Sequence, residues 1–451
     1  MFTCVLDPKS RVTLCDQLYG ALRAEIERGG MAAGVRMPSK RELSQHLGVS
    51  TATVEAAYGR LMSEGFCESR PRSGMFVARE LPGMVKSIAL QDVPVKWDFT
   101  TGAADADHFP YATWARLMRE VLSEQDNSLL LSGDPQGSAD LRREIADMLR
   151  NLRGIEVSPD QIVIGAGTEV LVTALAALIG RERLFAVEDP GYSRVRRILT
   201  ASGARIAPTP LSHGAIDVPS LYLSGAGAAY VTPSHQFPTG VEMDTAQREA
   251  LLRWAQETGS YILEDDYDSE FRFSGTGAPA LMAMDSGAHV VYMNTFARTL
   301  APGLRLSFMA LPPLLAQRYR ALHGACSVSG FEQETLRKFI SAGHLERHIA
   351  RMRVIYRERL GVLTREVRAL GLGEAAPCVA GLHVLLHVGG KTPAQELVPL
   401  AAQAGVKLTR LCDYSVMRSD PAQERVVLLG FAGMDEEEIC AGLKALHQAW
   451  M

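Results

Sequence analysis

Six apolar runs fall between residues 162 and 312: IVIGAG, LFAVEDP, AAYVTP, YILEDD, VVYMNTF and LRLSFMALP, most of them separated by stretches of helical period. Runs this short and this continuously apolar predict strands buried on both faces. Strands alternating with helices build a mostly parallel sheet covered on either side. In such a sheet the ligand lies beyond the carboxyl ends of the strands, so the residues that follow each run are the first candidates for function.

At 451 residues the chain has material for two or three domains, and 47% hydrophobic with 22% charged residues exclude a disordered or fibrous protein. The net charge of −4 is unevenly spread. Residues 1–79 hold eleven Lys/Arg against eight Asp/Glu, which leaves 36 against 43 of the total 47 and 51 for the rest. A mildly basic head on an acidic body fits a nucleic-acid-binding module joined to a small-molecule domain. Seven dispersed cysteines without a CxxC pair argue for reduced thiols, a cytoplasmic location and no zinc site. The longest apolar helical run, TALAALIG, is too short to cross a bilayer.

The head reads as three helices and a hairpin. Leu14, Leu18, Leu22 and Ile26 share one helical face, and Gly29-Gly30 ends it. Ser39 caps a short helix carrying Leu43 and Leu47 that Gly48 closes. Ser50 caps a third, with Val54, Ala57, Tyr58 and Leu61 inward. Residues 66–77 alternate about a Pro/Gly turn, as a β-hairpin wing does. The run PSKRELSQHLGVSTATVEAAYGRLMSEGF…RSGMFVA resembles the GntR-type winged helix. That resemblance implies double-stranded DNA as partner, with Ser50, Thr51 and Thr53 nearest the bases and Ser39, Arg41, Arg70, Arg72 and Ser73 on the backbone or minor groove. Lys40 is read as a solvated charge adding to the field. Thr51 stands where many members of the family carry arginine, which alters the expected base preference.

EDDYDSEFRF followed by TFARTLAPGLRLSF resembles the MocR/GabR-type transcription regulators, a winged helix fused to a fold-type I aminotransferase-like domain. The resemblance implies an α/β protein: an N-terminal winged helix-turn-helix at 1–79, a linker at 80–96, a large domain of the pyridoxal-phosphate (PLP) transferase fold at 97–312, and a long helix with a smaller C-terminal α/β subdomain at 313–451. It also implies PLP as cofactor and a homodimer with no membrane association. Asp265 would hold the pyridine nitrogen, Tyr267 and His235 (or Gln236) the ring hydroxyl, and Tyr192 the ring face. Gly167, Thr168 and Arg305 would hold the phosphate, and Arg194 an effector carboxylate.

Arg298 departs from the pattern: it occupies the place of the Schiff-base lysine. A guanidinium stays protonated at any working pH and is no free nucleophile, so covalent PLP is not expected, and no lysine lies between Trp97 and Arg337 to replace it. Two readings stay open, compositional drift in a disused site or a fixed cation for a phosphate or carboxylate. Ser132 replaces a tyrosine before GDPQG, and Leu428 replaces the arginine that binds substrate carboxylate, with Arg425 nearby but out of register. The expected function is a regulator sensing PLP, an amino compound or another anion. The alternatives are a body reduced to a dimerisation scaffold and, less favoured, a working aminotransferase.

Overall fold

The computed structural model describes residues 4, 6, 12–27, 31, 35–63, 66–70, 74–77, 94–102, 105–322, 324–417 and 421–450. The chain divides into two compact units, residues 1–92 and 93–451. Among the described residues, no helix is long and apolar enough to cross a membrane.

The first unit holds α1 (Leu14–Glu27), α2 (Lys40–Leu47), α3 (Thr51–Ser63), β1 (Cys67–Arg70) and β2 (Gly74–Val77), the two strands pairing antiparallel. Leu18, Leu22, Ile26, Leu43, Val54, Ala57, Tyr58 and Leu61 form its core, the faces that helical spacing assigns inward. Ser39 and Glu42 make a reciprocal capping box, and Gly48 closes α2 in the left-handed conformation at φ 66°.

The second unit runs through β3 (Trp97–Asp98), α4 (Tyr111–Ser123), α5 (Ala139–Arg153), β4 (Ile162–Gly165), α6 (Thr168–Ile179), β5 (Leu184–Asp189), α7 (Ser193–Ala201), β6 (Arg205–Ser212), β7 (Ala215–Ile216), α8 (Val218–Ser224), β8 (Ala228–Val231), α9 (Thr245–Thr258) and β9 (Tyr261–Asp265). It continues with α10 (Leu281–Met284), β10 (Val290–Thr295), α11 (Phe296–Thr299), β11 (Ser307–Ala310), α12 (Pro313–Leu322), α13 (Gly330–Ser341) and α14 (His344–Ala369). It ends with β12 (Gly373–Ala375), β13 (His383–Val388), α15 (Ala394–Gln403), β14 (Val406–Lys407), β15 (Thr409–Arg410), β16 (Val426–Gly430) and α16 (Glu436–Trp450).

Eight strands form one sheet in the order β4-β11-β10-β9-β8-β5-β6-β7. The run from β10 to β6 is parallel, as the apolar runs predict. β11 lies antiparallel between β10 and β4. Only two short turns of helix, Phe296–Thr299 and Pro302–Leu304, join β10 to β11, too little chain for a crossover, so the strand doubles back. Side chains alternate between two cores: Ile162, Ile164, Ala186, Ala229 and Ile262 face one layer of helices, while Val163, Phe185, Val187, Tyr230 and Leu263 face the other.

A third core gathers around the antiparallel sheet β12-β13-β16-β15. Phe99, from the start of this unit, is fully buried in it, and β3 pairs with β14. A Cβ at Gly442 of α16 would stand 2.6 Å from the Phe99 ring, so the ring seats on bare backbone. Leu315 and Leu336, on helices beyond residue 312, belong to the cores of the large sheet. The two subdomains therefore interleave in sequence.

Candidate functional site

A cavity of about 930 Å³, counted to its open mouth, lies beyond the carboxyl ends of β4, β8, β9 and β10. Its wall holds Gly167, Thr168, Tyr192, Arg194, Asp265, Tyr267, Arg298 and Arg305, together with Thr232, Phe237 and Thr295. Asp265 ends β9 and is 6% exposed. The Tyr230 hydroxyl donates to its carboxylate. Burial raises the Asp265 carboxyl to about 7, against the Tyr230 hydrogen bond, which lowers it.

His235 is not in the wall. It is 2% exposed and sits behind Tyr267, whose hydroxyl lies 3.0 Å from its Nδ1 and donates to its carbonyl at 3.1 Å. Asp268 holds the same nitrogen at 3.0 Å, and a Cβ at Gly381 would stand 1.9 Å from the ring. Gln236 is consumed by its own loop, donating to the carbonyls of Pro190 and Phe237 and to Glu188. The expectation that either side chain reaches a ring hydroxyl is corrected: they position Tyr267 and the Phe237 loop.

At the other end of the cavity Gly167 caps α6, and Arg305 lies against it. Gly167 has φ 94°, a backbone conformation that favours glycine, and a Cβ there would stand 2.2 Å from Arg305 Nη2, so any side chain would push the guanidinium aside. The free amides of the first turn and the guanidinium form a cup for an anion. Arg298 lies on α11 just past β10 and donates from Nη1 to the Thr101 carbonyl oxygen at 2.5 Å. Arg194 pairs with Glu169 at 3.1 Å.

Tyr192 packs edge-on against Phe237 at 5.4 Å between centroids. Behind them Leu428, Leu385, Leu411 and Val426 make an apolar cluster that touches Tyr192 and Tyr267. Arg425 turns away and donates to the Val388 carbonyl.

In the head, the Ser39 hydroxyl accepts from Glu42 N–H, and the Ser50 hydroxyl accepts from Thr53 N–H at 3.0 Å and meets the Thr53 hydroxyl at 2.8 Å. Three of the residues assigned to DNA thus also hold helix ends. Thr51 and Arg41 are exposed. Lys40 is ion-paired with Glu55, and both side chains stay well exposed to solvent. The Arg70 side chain, Arg72 and Ser73 lie outside the described residues. Sequence reading missed Arg36, an exposed guanidinium beside Gly74 of the hairpin, where a Cβ would meet it at 3.2 Å.

A family model described as Aminotransferase class I and II matches residues 95–446, and one described as Bacterial regulatory proteins, gntR family, matches residues 14–77. YhdI of Bacillus subtilis, an uncharacterized HTH-type transcriptional regulator, is 37% identical over 99% of this chain and 98% of its own. The probable rhizopine catabolism regulatory protein MocR of Rhizobium meliloti is 32% identical over 99% and 96%. The chain belongs to the MocR-type transcriptional regulators. A multiple substrate aminotransferase from Thermococcus profundus has the fold of the regulator's body, with a TM-score of 0.72 at 22% identity over 82% of this chain and 95% of its own. The GntR head makes the regulator a DNA-binding protein.

The aminotransferase class suggests PLP by resemblance, and the regulator's cavity meets part of what that group requires. The anion cup at Gly167 and Arg305 suits a phosphate, and the buried Asp265 suits a ring nitrogen. Among the described residues no lysine lines the cavity. The residues present therefore fit the phosphate and the ring of that group.

Sequence reading also missed most of the regulator's buried acids. Glu188 takes the Thr232 hydroxyl at 2.8 Å, and burial raises its carboxyl to about 7. Asp266 pairs with Arg153 at 2.8 Å and accepts from Tyr292, while Glu264 accepts from the Leu281 and Met282 amides. Charged residues inside otherwise apolar strands were the available signal.

Proposed function

We propose that this regulator binds operator DNA as a homodimer in the cytoplasm, that its aminotransferase-like body senses a small anionic or amino-compound ligand without covalent attachment, and that it is not an enzyme. One observation carries the reading: Arg298 shares a cavity wall with Asp265 and Tyr267, at the place the resemblance gives to a bond-forming lysine. A protonated guanidinium holds an anion and cannot supply the amine that transamination needs. Binding that favours one of two arrangements is enough to alter DNA affinity.

The test pairs two measurements. Mobility shifts on DNA upstream of the neighbouring genes should show salt-sensitive binding that a cavity ligand changes. Incubation with PLP and amino donors should give no amino transfer. Turnover of an amino donor would overturn the reading.

Ser132, exposed before the GDPQG turn where the resemblance expects a tyrosine on the phosphate, favours the scaffold alternative. Calorimetry with PLP and amino acids separates the two, because a scaffold releases no heat with any of them.

A further inference from the structure

We infer that a second pocket of the body, at the opposite ends of the strands from the cavity, binds a small dicarboxylate between Arg183 and Arg205. The pocket shares no residue with the cavity, so it takes its ligand whatever the cavity binds.

Leu184 opens β5, Arg205 opens β6 and Gly227 precedes β8, and the sheet order β8-β5-β6 brings these amino ends together. They line a pocket of about 660 Å³, counted to its open mouth, with Glu182, Arg183, Ser224 and Gly225. Leu184 pairs with Arg205, so Arg183 and Arg205 stand at the entries of neighbouring strands. Among the described residues no ion pair or hydrogen bond engages either guanidinium. Glu182, the acid of the pocket, is tucked against Gly180, where a Cβ would stand 2.2 Å from its Oε1, and no ion pair joins it to either arginine. Ser224 is spent within its own turn, donating to the Leu221 carbonyl at 2.8 Å and accepting from Ala226 N–H at 3.1 Å. The contacts left for a ligand therefore fall to the two arginines.

The spacing of the two cations sets the ligand's chemistry. A Cβ at Gly227 would stand 3.0 Å from Arg183 Cδ, so the Arg183 stem lies over that glycine, on the β8 side of β5. Arg205 enters from the β6 side. Neighbouring strands lie about 4.8 Å apart, which separates Gly227 from Arg205 by roughly 10 Å. Two planar forks rooted on either side of β5 match two carboxylates on a short chain, each taken by a bidentate pair, better than one compact anion. Two like charges at adjacent strand entries repel, and a dianion between them turns that repulsion into two attractions.

The experiment follows phenylglyoxal modification of arginines in the full chain by mass spectrometry, with glutarate as the probe and sodium chloride at matched ionic strength as the reference. Glutarate at about ten times a millimolar Kd should slow modification of Arg183 and Arg205 roughly ten-fold. Arg181, exposed beside them in sequence but outside the pocket, should change by less than about two-fold. Butyrate, with one carboxylate, should protect either arginine by about two-fold at most. Arg205→Gln should reduce the protection of Arg183 to the butyrate level, and Arg183→Gln, read at Arg205, is the second variant if thermal unfolding shows the first to be misfolded. Equal protection of Arg181 reports ionic screening and overturns the inference. Equal protection by butyrate, or stronger protection by inorganic phosphate, assigns a site for a single anion and also overturns it, as does full protection of Arg183 in Arg205→Gln. Modification that is slow without a probe and speeds up on dilution means that a second copy of the chain covers the pocket, which overturns it too. None of these outcomes bears on amino transfer or operator binding, so the proposed function is tested separately.

Discussion

Arg298 Nη1 donates to the carbonyl oxygen of Thr101 at 2.5 Å, closing a loop of 197 residues. Thr101 lies two positions past Phe99, which is fully buried in the C-terminal core. A hydrogen bond therefore ties the cavity wall to the segment 94–102, the first described stretch after the boundary between the two units.

Arg298→Lys tests how much of a PLP site survives. An ammonium is smaller and loses the planar fork that spans Thr101 and the cavity, but it restores a nucleophile. With the cup at Gly167 and Arg305 and the acid at Asp265 in place, the variant should acquire visible absorbance on addition of PLP and lose it on treatment with borohydride. A colourless variant would mean that the cavity has diverged at positions other than 298.

The pH dependence of stability follows from Asp265. Burial raises its carboxyl from the ordinary value of 3.8 to about 7 in the folded chain. The folded state therefore binds a proton that the unfolded state has released, and the stability this contributes is complete below about pH 4 and lost as pH rises toward 7. Asp265→Asn removes the titration and keeps an acceptor for Tyr230. Relative to the parent, the variant should gain on the order of 1–3 kcal/mol between pH 5 and pH 8, read as denaturant midpoints. Glu188 shifts in the same direction for the same reason and adds a slope that both proteins share.

Gly167→Ala strikes the anion cup. Its Cβ would overlap Arg305 Nη2, and φ of 94° strains any side chain. The backbone term alone costs about 1–2 kcal/mol, and displacement of Arg305 should weaken binding of inorganic phosphate and PLP by at least about ten-fold. Calorimetry reads the affinity and thermal unfolding the cost. Unchanged phosphate affinity would place the anion elsewhere in the cavity.

The sheet was legible because its strands are continuously apolar and buried on both faces, a pattern that few other structures share. That Asp265, Tyr267 and Arg298 line one cavity was legible because they lie at or just past the ends of two such strands. The direction of β11 was not, since LRLSFMALP reads alike in either orientation and only the short connection from β10 decides it. His235 misled for a related reason: sequence places a histidine on the loop but says nothing of Asp268 and Gly381, which trap its ring behind Tyr267. Phe99 marks the widest gap, because a contact spanning more than three hundred residues leaves no local periodicity.

In the head, Arg41 and Lys40 are adjacent in sequence and opposite in expectation. Lys40 is ion-paired with Glu55 at the surface, whereas no ion pair joins Arg41, exposed on α2, among the described residues. A phosphate contact adds affinity without reading sequence, and each such contact contributes close to one unit to the salt slope. Arg41→Ala should weaken specific and non-specific DNA alike and reduce the slope of log affinity against log salt by about one. Lys40→Ala should change the slope by much less, because its charge is already balanced. Equal losses from the two variants would show that Lys40 leaves Glu55 for the DNA backbone, and Glu55→Gln would then tighten binding in the parent.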